Sequence, residues 1–233
     1  MSLKAFVKGW IGEAQVTLAK KIFLDKEFYT DVNNVTIPTS NGTTQIDHII
    51  ASPYGIFVVE TKNMDGWIFG DEKNSQWTQS LFGKKSKFQN PLHQNYRHIK
   101  ALSEYLYMEE DKFHSLVFFA SDCTFKTPMP ANVLNHGYIP FIKSKTDILF
   151  SPQQVQDIVT AIKTGMLPKT WKTSREHVAG LKERFDSTTT CPKCSSELIL
   201  RTVKSGEKAG SQFYGCSTYP KCRYTKAVVK DAF

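Results

Sequence analysis

Residues 45–62, QIDHIIASPYGIFVVETK, constrain the fold more than any other stretch of the chain. Two runs rich in Ile, Val and Phe flank Ser52-Pro53-Tyr54-Gly55, where Pro and Gly supply the dihedrals of a tight turn. The stretch therefore reads as a β-hairpin. A turn centred on Pro53 and Tyr54 sets Asp47 opposite Glu60 and Gln45 opposite Lys62. Opposed residues of an antiparallel pair share a face, with Cβ atoms roughly 4.5–5.5 Å apart, and Glu60 and Lys62 share one through the two-residue period. Two carboxylates and an ammonium are expected to converge inside an apolar strand pair. Like charges so placed need a compensating cation. Lys62 is one candidate, and a divalent ion such as Mg²⁺, which takes one or two carboxylates with water and phosphate oxygens, is the other. The plain alternative is an ordinary Glu–Lys pair on a surface hairpin.

The flanking sequence supplies a mixed α/β frame. Val7, Ile11, Ala14, Leu18 and Ile22 recur at helical spacing with Glu13 on the rim of the stripe, and residues 32–37 read as a strand. Beyond the hairpin, residues 66–70 suggest a short strand, and residues 71–88 are polar. That polar stretch carries Gly83-Lys84-Lys85-Ser86-Lys87 as a basic tip, either a phosphate contact or a solvated loop. Asn90-Pro91 opens a helix whose Leu92, Tyr96, Ile99, Leu102 and Leu106 form one apolar face, leaving Gln94 on another. Residues 116–120 are a continuous apolar run, as in a strand covered on both faces. Ser151 and Gln154 form a capping box before a helix that turns Val155, Ile158, Val159 and Ile162 inward. Cys123 reads as a structural thiol, and none of the six histidines is given a role. The expected organisation is a first domain over residues 1–170, a helix and linker over 171–190, and a small module over 191–233.

The last module is defined by its cysteines. Cys191-Pro192-Lys193-Cys194 is followed after 21 residues by Cys216 and after five more by Cys222, the layout of a zinc ribbon in which four thiolates close a tetrahedron. No ligand position is left open, so the zinc is expected to be structural. The alternative is a reduced or disulfide-linked tail. Net charge is +8, and residues 186–233 hold eight Lys and Arg against four Asp and Glu, which favours a polyanionic partner. Phe213, Tyr214, Tyr219 and Tyr224 interleave with basic residues such as Arg223, offering stacking platforms beside phosphate-neutralising charge. No apolar run has the length of a membrane span and the N-terminus lacks the apolar core of a signal peptide, so a cytoplasmic protein with reduced thiols is expected.

Asp47 followed by Glu60-Thr61-Lys62 resembles the core of the PD-(D/E)xK nucleases. The words Gly12-Glu13, Gln45-Ile46-Asp47-His48, Gly55-Ile56-Phe57-Val58-Val59-Glu60-Thr61-Lys62-Asn63, Gly66-Trp67-Ile68 and Asn90-Pro91-Leu92-His93-Gln94-Asn95 resemble one branch of it, the nuclease-related (NERD) domain, over roughly residues 8 to 120. Ile46 stands where the superfamily's name has Pro. The cysteine words, with Phe213-Tyr214-Gly215 and Tyr219-Pro220-Lys221, resemble the zinc ribbons appended to bacterial type I topoisomerases. The resemblance implies a restriction-endonuclease-like mixed α/β sheet flanked by helices. It also implies Mg²⁺ or Mn²⁺ held by Asp47 and Glu60 with help from the Thr61 carbonyl. Glu13 would be a further acidic residue and Gln94 a member of the site, while Lys62 would orient water or stabilise developing charge. The expected activity is hydrolysis of DNA phosphodiester bonds on the bacterial nucleoid, with the ribbon contacting DNA, often single-stranded, through Phe213, Tyr214, Tyr219, Arg223 and Tyr224. A homodimer would cut both strands, although no self-complementary surface is legible. A non-cleaving DNA-binding scaffold and an RNA-directed nuclease are the alternatives.

Overall fold

The computed structural model describes residues 24–39, 42–194, 196–207 and 209–228. Glu13 and the helix expected over residues 7–22 lie outside the described residues. The chain divides into two compact units that part between Thr170 and Trp171.

The first unit is mixed α/β. Its main sheet has the order β1 (Thr30–Thr39), β2 (Gly42–Ser52), β3 (Gly55–Lys62), β7 (Phe113–Phe119), β9 (Val133–Leu134). The β2–β3 pair is the hairpin read from the sequence, with Ser52 opposite Gly55 as expected. The Ser52 hydroxyl donates to the Gly55 carbonyl at 3.0 Å, and Gly55, at φ +121°, leaves no room for a Cβ, which would lie 2.7 Å from His114 Nε2. β7 joins β3 in parallel, with Val58 beside Ser115 and Glu60 beside Val117.

Helix α1 (Pro91–Leu106) starts as its sequence dictates: Pro91 is at the first position and Asn90 Oδ1 accepts from the Leu92 amide at 2.9 Å. With α3 (Pro152–Gly165), opened by the Ser151–Gln154 capping box, it buries one face of the sheet through Ile99, Leu102, Val155, Ile158 and Ile162 against Ile49, Ile56 and Val58. The short α2 (Tyr138–Lys143) covers the other face through Tyr138 and Ile142 against Ile50, Phe57 and Val59.

A second sheet, in the order β6 (Lys84–Gln89), β5 (Gln76–Leu81), β4 (Gly66–Phe69), β8 (Cys123–Phe125), packs Ile68, Trp77 and Cys123 on Val117 and Phe119 of β7. Residues 71–88 are therefore not simply a polar loop: β5 and β6 form a hairpin pinned by Trp77, whose ring stacks on Phe119 at 6.2 Å. Its two-residue turn, Phe82–Gly83, has φ of 49° and 77°. Gly tolerates this conformation, whereas for Phe the left-handed region costs about 1–2 kcal/mol.

The second unit holds α4 (Trp171–Asp186) and a three-stranded antiparallel sheet, β10 (Leu198–Thr202), β11 (Gln212–Cys216) and β12 (Thr225–Ala227). Its buried core is Cys191, Cys216, Cys222 and Leu198, so the cysteines occupy the place where a larger domain would put aliphatic side chains. Among the described residues no helix is long and apolar enough to cross a membrane.

Candidate functional site

The β2–β3 ladder runs from Ser52–Gly55 to His48–Val59 and stops there. The expected pairings of Asp47 with Glu60 and Gln45 with Lys62 are thus absent from the ladder. Ile46 shares one buried cluster with Ile49 and Ala51, although a strict two-residue period would put 46 and 49 on opposite faces. The strand shifts face at Asp47–His48, a local break of the kind that re-aims side chains. Asp47 takes over what the ladder gives up: its Oδ2 accepts the Thr61 amide at 2.9 Å. Because the amide and carbonyl of one strand residue point to the same side, the Thr61 carbonyl also points toward β2 and Asp47.

Glu60 remains on β3 and faces α1, only 3% exposed. The Lys62 ammonium donates to its Oε1 at 2.6 Å, and His98 Nε2 lies 3.2 Å from its Oε2. Lys62 also donates to Gln94 Oε1 at 2.9 Å, and His98 Nδ1 lies 2.7 Å from the Thr44 hydroxyl. Burial alone would push the Glu60 carboxyl up. The Lys62 charge and the hydrogen bond from His98 outweigh it and hold the group down at about 2. Glu60 is therefore an anion at any physiological pH, its two oxygens engaged by side chains from β3 and α1.

Helix α1 reaches this point through a polar patch set into its buried side. Asn95, fully buried, donates to the Val58 carbonyl at 2.8 Å and to the Ser115 hydroxyl at 2.9 Å, tying the helix to β3 and β7. Gln94 and His98, one turn apart, then meet Lys62 and Glu60. The apolar stripe drawn from sequence is corrected in two places: Tyr96 is 39% exposed, while Asn95 and His98 are buried. His98 is the residue that sequence reasoning missed; its spacing of four from Gln94 was the available signal.

In the second unit, the Sγ atoms of Cys191, Cys194, Cys216 and Cys222 all lie within 4.8 Å of one another, with Cys191–Cys222 at 3.8 Å and Cys194–Cys216 at 3.4 Å. Four thiolates at about 2.3 Å from one Zn²⁺ sit about 3.8 Å apart, so the cluster fits a tetrahedral ion. Hydrogen bonding among the thiols holds that of Cys194 down and pushes that of Cys191 up.

Phe213 and Tyr214 are neighbours on β11 and point oppositely; Tyr214 and Tyr224 pack against the cysteine cluster. Phe213, Tyr219, Arg223 and Tyr224 line a cavity of about 290 Å³ with Arg201, another residue outside the sequence-based set. Arg201 lies across β11 over Gly215, where a Cβ would be 3.0 Å from its Cδ. Its guanidinium and that of Arg223 stand 5.9 and 6.0 Å from the Tyr219 ring centre.

The nuclease-related domain family matches residues 8–120, and the topoisomerase DNA binding C4 zinc finger family matches residues 188–231. An uncharacterised protein of Bacillus anthracis is 40% identical over 192 residues, covering 78% of this chain and 89% of that protein. DNA topoisomerase 1 of Methanocaldococcus jannaschii is 50% identical over 40 residues, 17% of this chain and 5% of that protein. YrdD, an uncharacterised protein of Escherichia coli, is 43% identical over 42 residues, 18% of this chain and 21% of that protein. No solved structure matches the chain.

Proposed function

Because the chain belongs to the nuclease-related domain family and joins that domain to a topoisomerase-type C4 zinc ribbon, we propose that it is a metal-dependent nuclease that hydrolyses DNA phosphodiester bonds and is brought to DNA by its ribbon. The observation that carries this reading is Glu60, an ionised carboxylate 3% exposed, with Asp47 fixed on the amide of the very next residue. Burying a carboxylate is costly, and a fold that keeps one charged at the end of an interrupted strand pair is arranged for a cation.

Asp47, Glu60 and the Thr61 carbonyl are the donors for Mg²⁺ or Mn²⁺, an all-oxygen set suited to a hard ion. Glu13 is a further candidate outside the described residues. When bound, the ion would supply Lewis acidity and an activated water. Lys62 places a positive charge beside Glu60 where negative charge develops on the phosphate, and Gln94 holds that ammonium in place at 2.9 Å. His98 fills the second oxygen of Glu60 and so fixes how the carboxylate is turned. In the ribbon, Cys191, Cys194, Cys216 and Cys222 would hold structural Zn²⁺. Phe213, Tyr219 and Arg223 face DNA, with Arg201 beside them; Tyr214 and Tyr224 chiefly cover the metal.

The test compares wild type with Glu60→Ala on labelled single-stranded, double-stranded and branched DNA in Mg²⁺ or Mn²⁺. Cleavage should disappear in the variant with DNA affinity nearly unchanged; equal loss of both contradicts the assignment. One observation favours a second reading, a DNA-binding scaffold that does not cut: Lys62 and His98 already satisfy both oxygens of Glu60. Tight, salt-sensitive binding without cleavage under either metal would establish it.

A further inference from the structure

Among the described residues, the four-stranded sheet packs its apolar cluster on one face. Ile68, Trp77, Phe88 and Phe125 face β7, which leaves the outer face to be made by the alternate residues of each strand. The registers align Lys85, Ser80, Trp67 and Thr124 in one row across all four strands, and Lys87, Thr78 and Phe69 in the next. Trp67 is 52% exposed, and the Lys126 ammonium stands 4.5 Å from the centre of its ring. No Asp or Glu occurs on β4, β5, β6 or β8.

The rim carries a second aromatic. Phe82 is 96% exposed at the tip of the β5–β6 hairpin, in a backbone conformation that Gly or Asn would adopt more readily. The hairpin beneath it is firmly rooted: Trp77 is 1% exposed and donates to the Asp71 carbonyl at 2.8 Å, and Asn90 donates to the carbonyls of Asp71 and Asn74. A strained turn on a rigid hairpin thus holds a phenyl ring in water beside Lys84 and Lys85.

We propose that this outer face is a nucleic-acid platform, separate from the ribbon, that takes a single-stranded segment: unpaired bases stack on Trp67 and Phe82 while Lys85, Lys87 and Lys126 neutralise its phosphates. The proposal rests on the reading of the chain as a DNA-binding protein. Charge and shape select the occupant. Strands that carry lysines and no Asp or Glu favour a polyanion, and exposed rings of this kind are covered by flat bases, which an unpaired strand presents along its length. β4 begins four residues after Lys62, so the chain ties this sheet closely to the strand that carries Glu60.

The experiment uses the full zinc-loaded chain in Mg²⁺-free buffer. Fluorescence anisotropy follows labelled single-stranded and blunt duplex DNA across a salt series for wild type, Trp67→Ala, Trp67→Phe, Phe82→Asn and the triple Lys85→Ala/Lys87→Ala/Lys126→Ala variant. Single-stranded DNA carrying 5-iodouracil is photocrosslinked and the modified peptide identified. Trp67→Ala should weaken single-strand binding about five-fold or more, with Trp67→Phe recovering part of it. Phe82→Asn should weaken it while raising the melting temperature, a split that a structural role would not produce. The triple variant should flatten the salt dependence by about 0.7 per lysine. Crosslinks confined to the ribbon, with unchanged affinity in all variants, would overturn the platform and leave the DNA-binding reading intact. Failure of wild type to bind any DNA would remove both. Trp67- and Phe82-dependent binding to anionic vesicles in place of DNA would overturn the platform in favour of a membrane surface.

Discussion

Replacing Lys62 by Met keeps the length of the side chain and removes its charge, which isolates the electrostatic balance at Glu60. The carboxyl sits at about 2 instead of its ordinary 4.5, a difference of about 3 kcal/mol in favour of the folded anion. Burial opposes that outcome, and the charge of Lys62 is the largest effect that overcomes it. Removing one partner of a buried pair costs about 3–5 kcal/mol; Lys62 is 20% exposed, so the low end applies and Lys62→Met should cost about 3 kcal/mol at pH 7. In a Glu60→Gln background the same change should cost little, giving a coupling near 3 kcal/mol in a double-mutant cycle. The sign with pH follows from a depressed folded pKa. The stabilisation is complete above 4.5 and is lost as pH falls toward 2, so the coupling should shrink by about 1.4 kcal/mol per pH unit through that window. The assay is urea unfolding of the first unit, read by hydrogen exchange in β3 and β7, at pH 3, 4, 5 and 7 in Mg²⁺-free buffer. A coupling below about 0.5 kcal/mol at pH 7, or one independent of pH, would refute the reasoning. Added Mg²⁺ should then stabilise Lys62→Met more than Glu60→Gln, since the ion replaces the lost cation only where the carboxylate remains.

Three further outcomes follow from the packing and the cysteines. Removing zinc with a chelator should abolish hydrogen-exchange protection of β10, β11 and β12 while β3 and β7 stay protected, because Leu198 is the one buried aliphatic side chain described in the ribbon core; protection that survives chelation would contradict a metal-dependent ribbon. After chelation at pH 8, iodoacetamide should label the four ribbon cysteines and spare Cys123, whose thiol is pushed up to about 11 chiefly by burial, with peptide mass spectrometry as the readout. Gly70→Ala would place a Cβ 2.1 Å from Trp77 Cδ2 and should cost about 3 kcal/mol by overpacking; a smaller loss in urea unfolding would show that Trp77 can yield.

The sequence made the hairpin legible because Pro53 and Gly55 leave the chain few other options, and it made the helix starts at Asn90 and Ser151 legible because their caps are local chemistry. It did not reveal the face shift at Asp47–His48. The sequence marks the spot only by two adjacent polar residues, Asp47-His48, ahead of the apolar run Ile49-Ile50-Ala51, and it takes the packing of Ile46 beside Ile49 to show that the strand changes face there. The β5–β6 hairpin was hidden for a different reason: Gln, Ser and Lys have weak strand preference, and the strands are recruited by one buried ring, Trp77.

The same blindness explains why the third side of the site was missed. Apolar periodicity ranks Tyr96 above Asn95 and His98, yet α1 lies over the Val58 carbonyl and the Glu60 carboxylate at that level, and apolar side chains there would remove the Asn95 bond to the carbonyl and the His98 contact to Glu60 Oε2. Polar residues are required on the buried side of this helix because a charge lies beneath it. The inward Gln94, Asn95 and His98 are therefore a consequence of burying Glu60, and the helix that closes the core also turns and balances the carboxylate. An ion arriving at Asp47 and Glu60 would meet a carboxylate already oriented, with Lys62 as the group that must give way or share it.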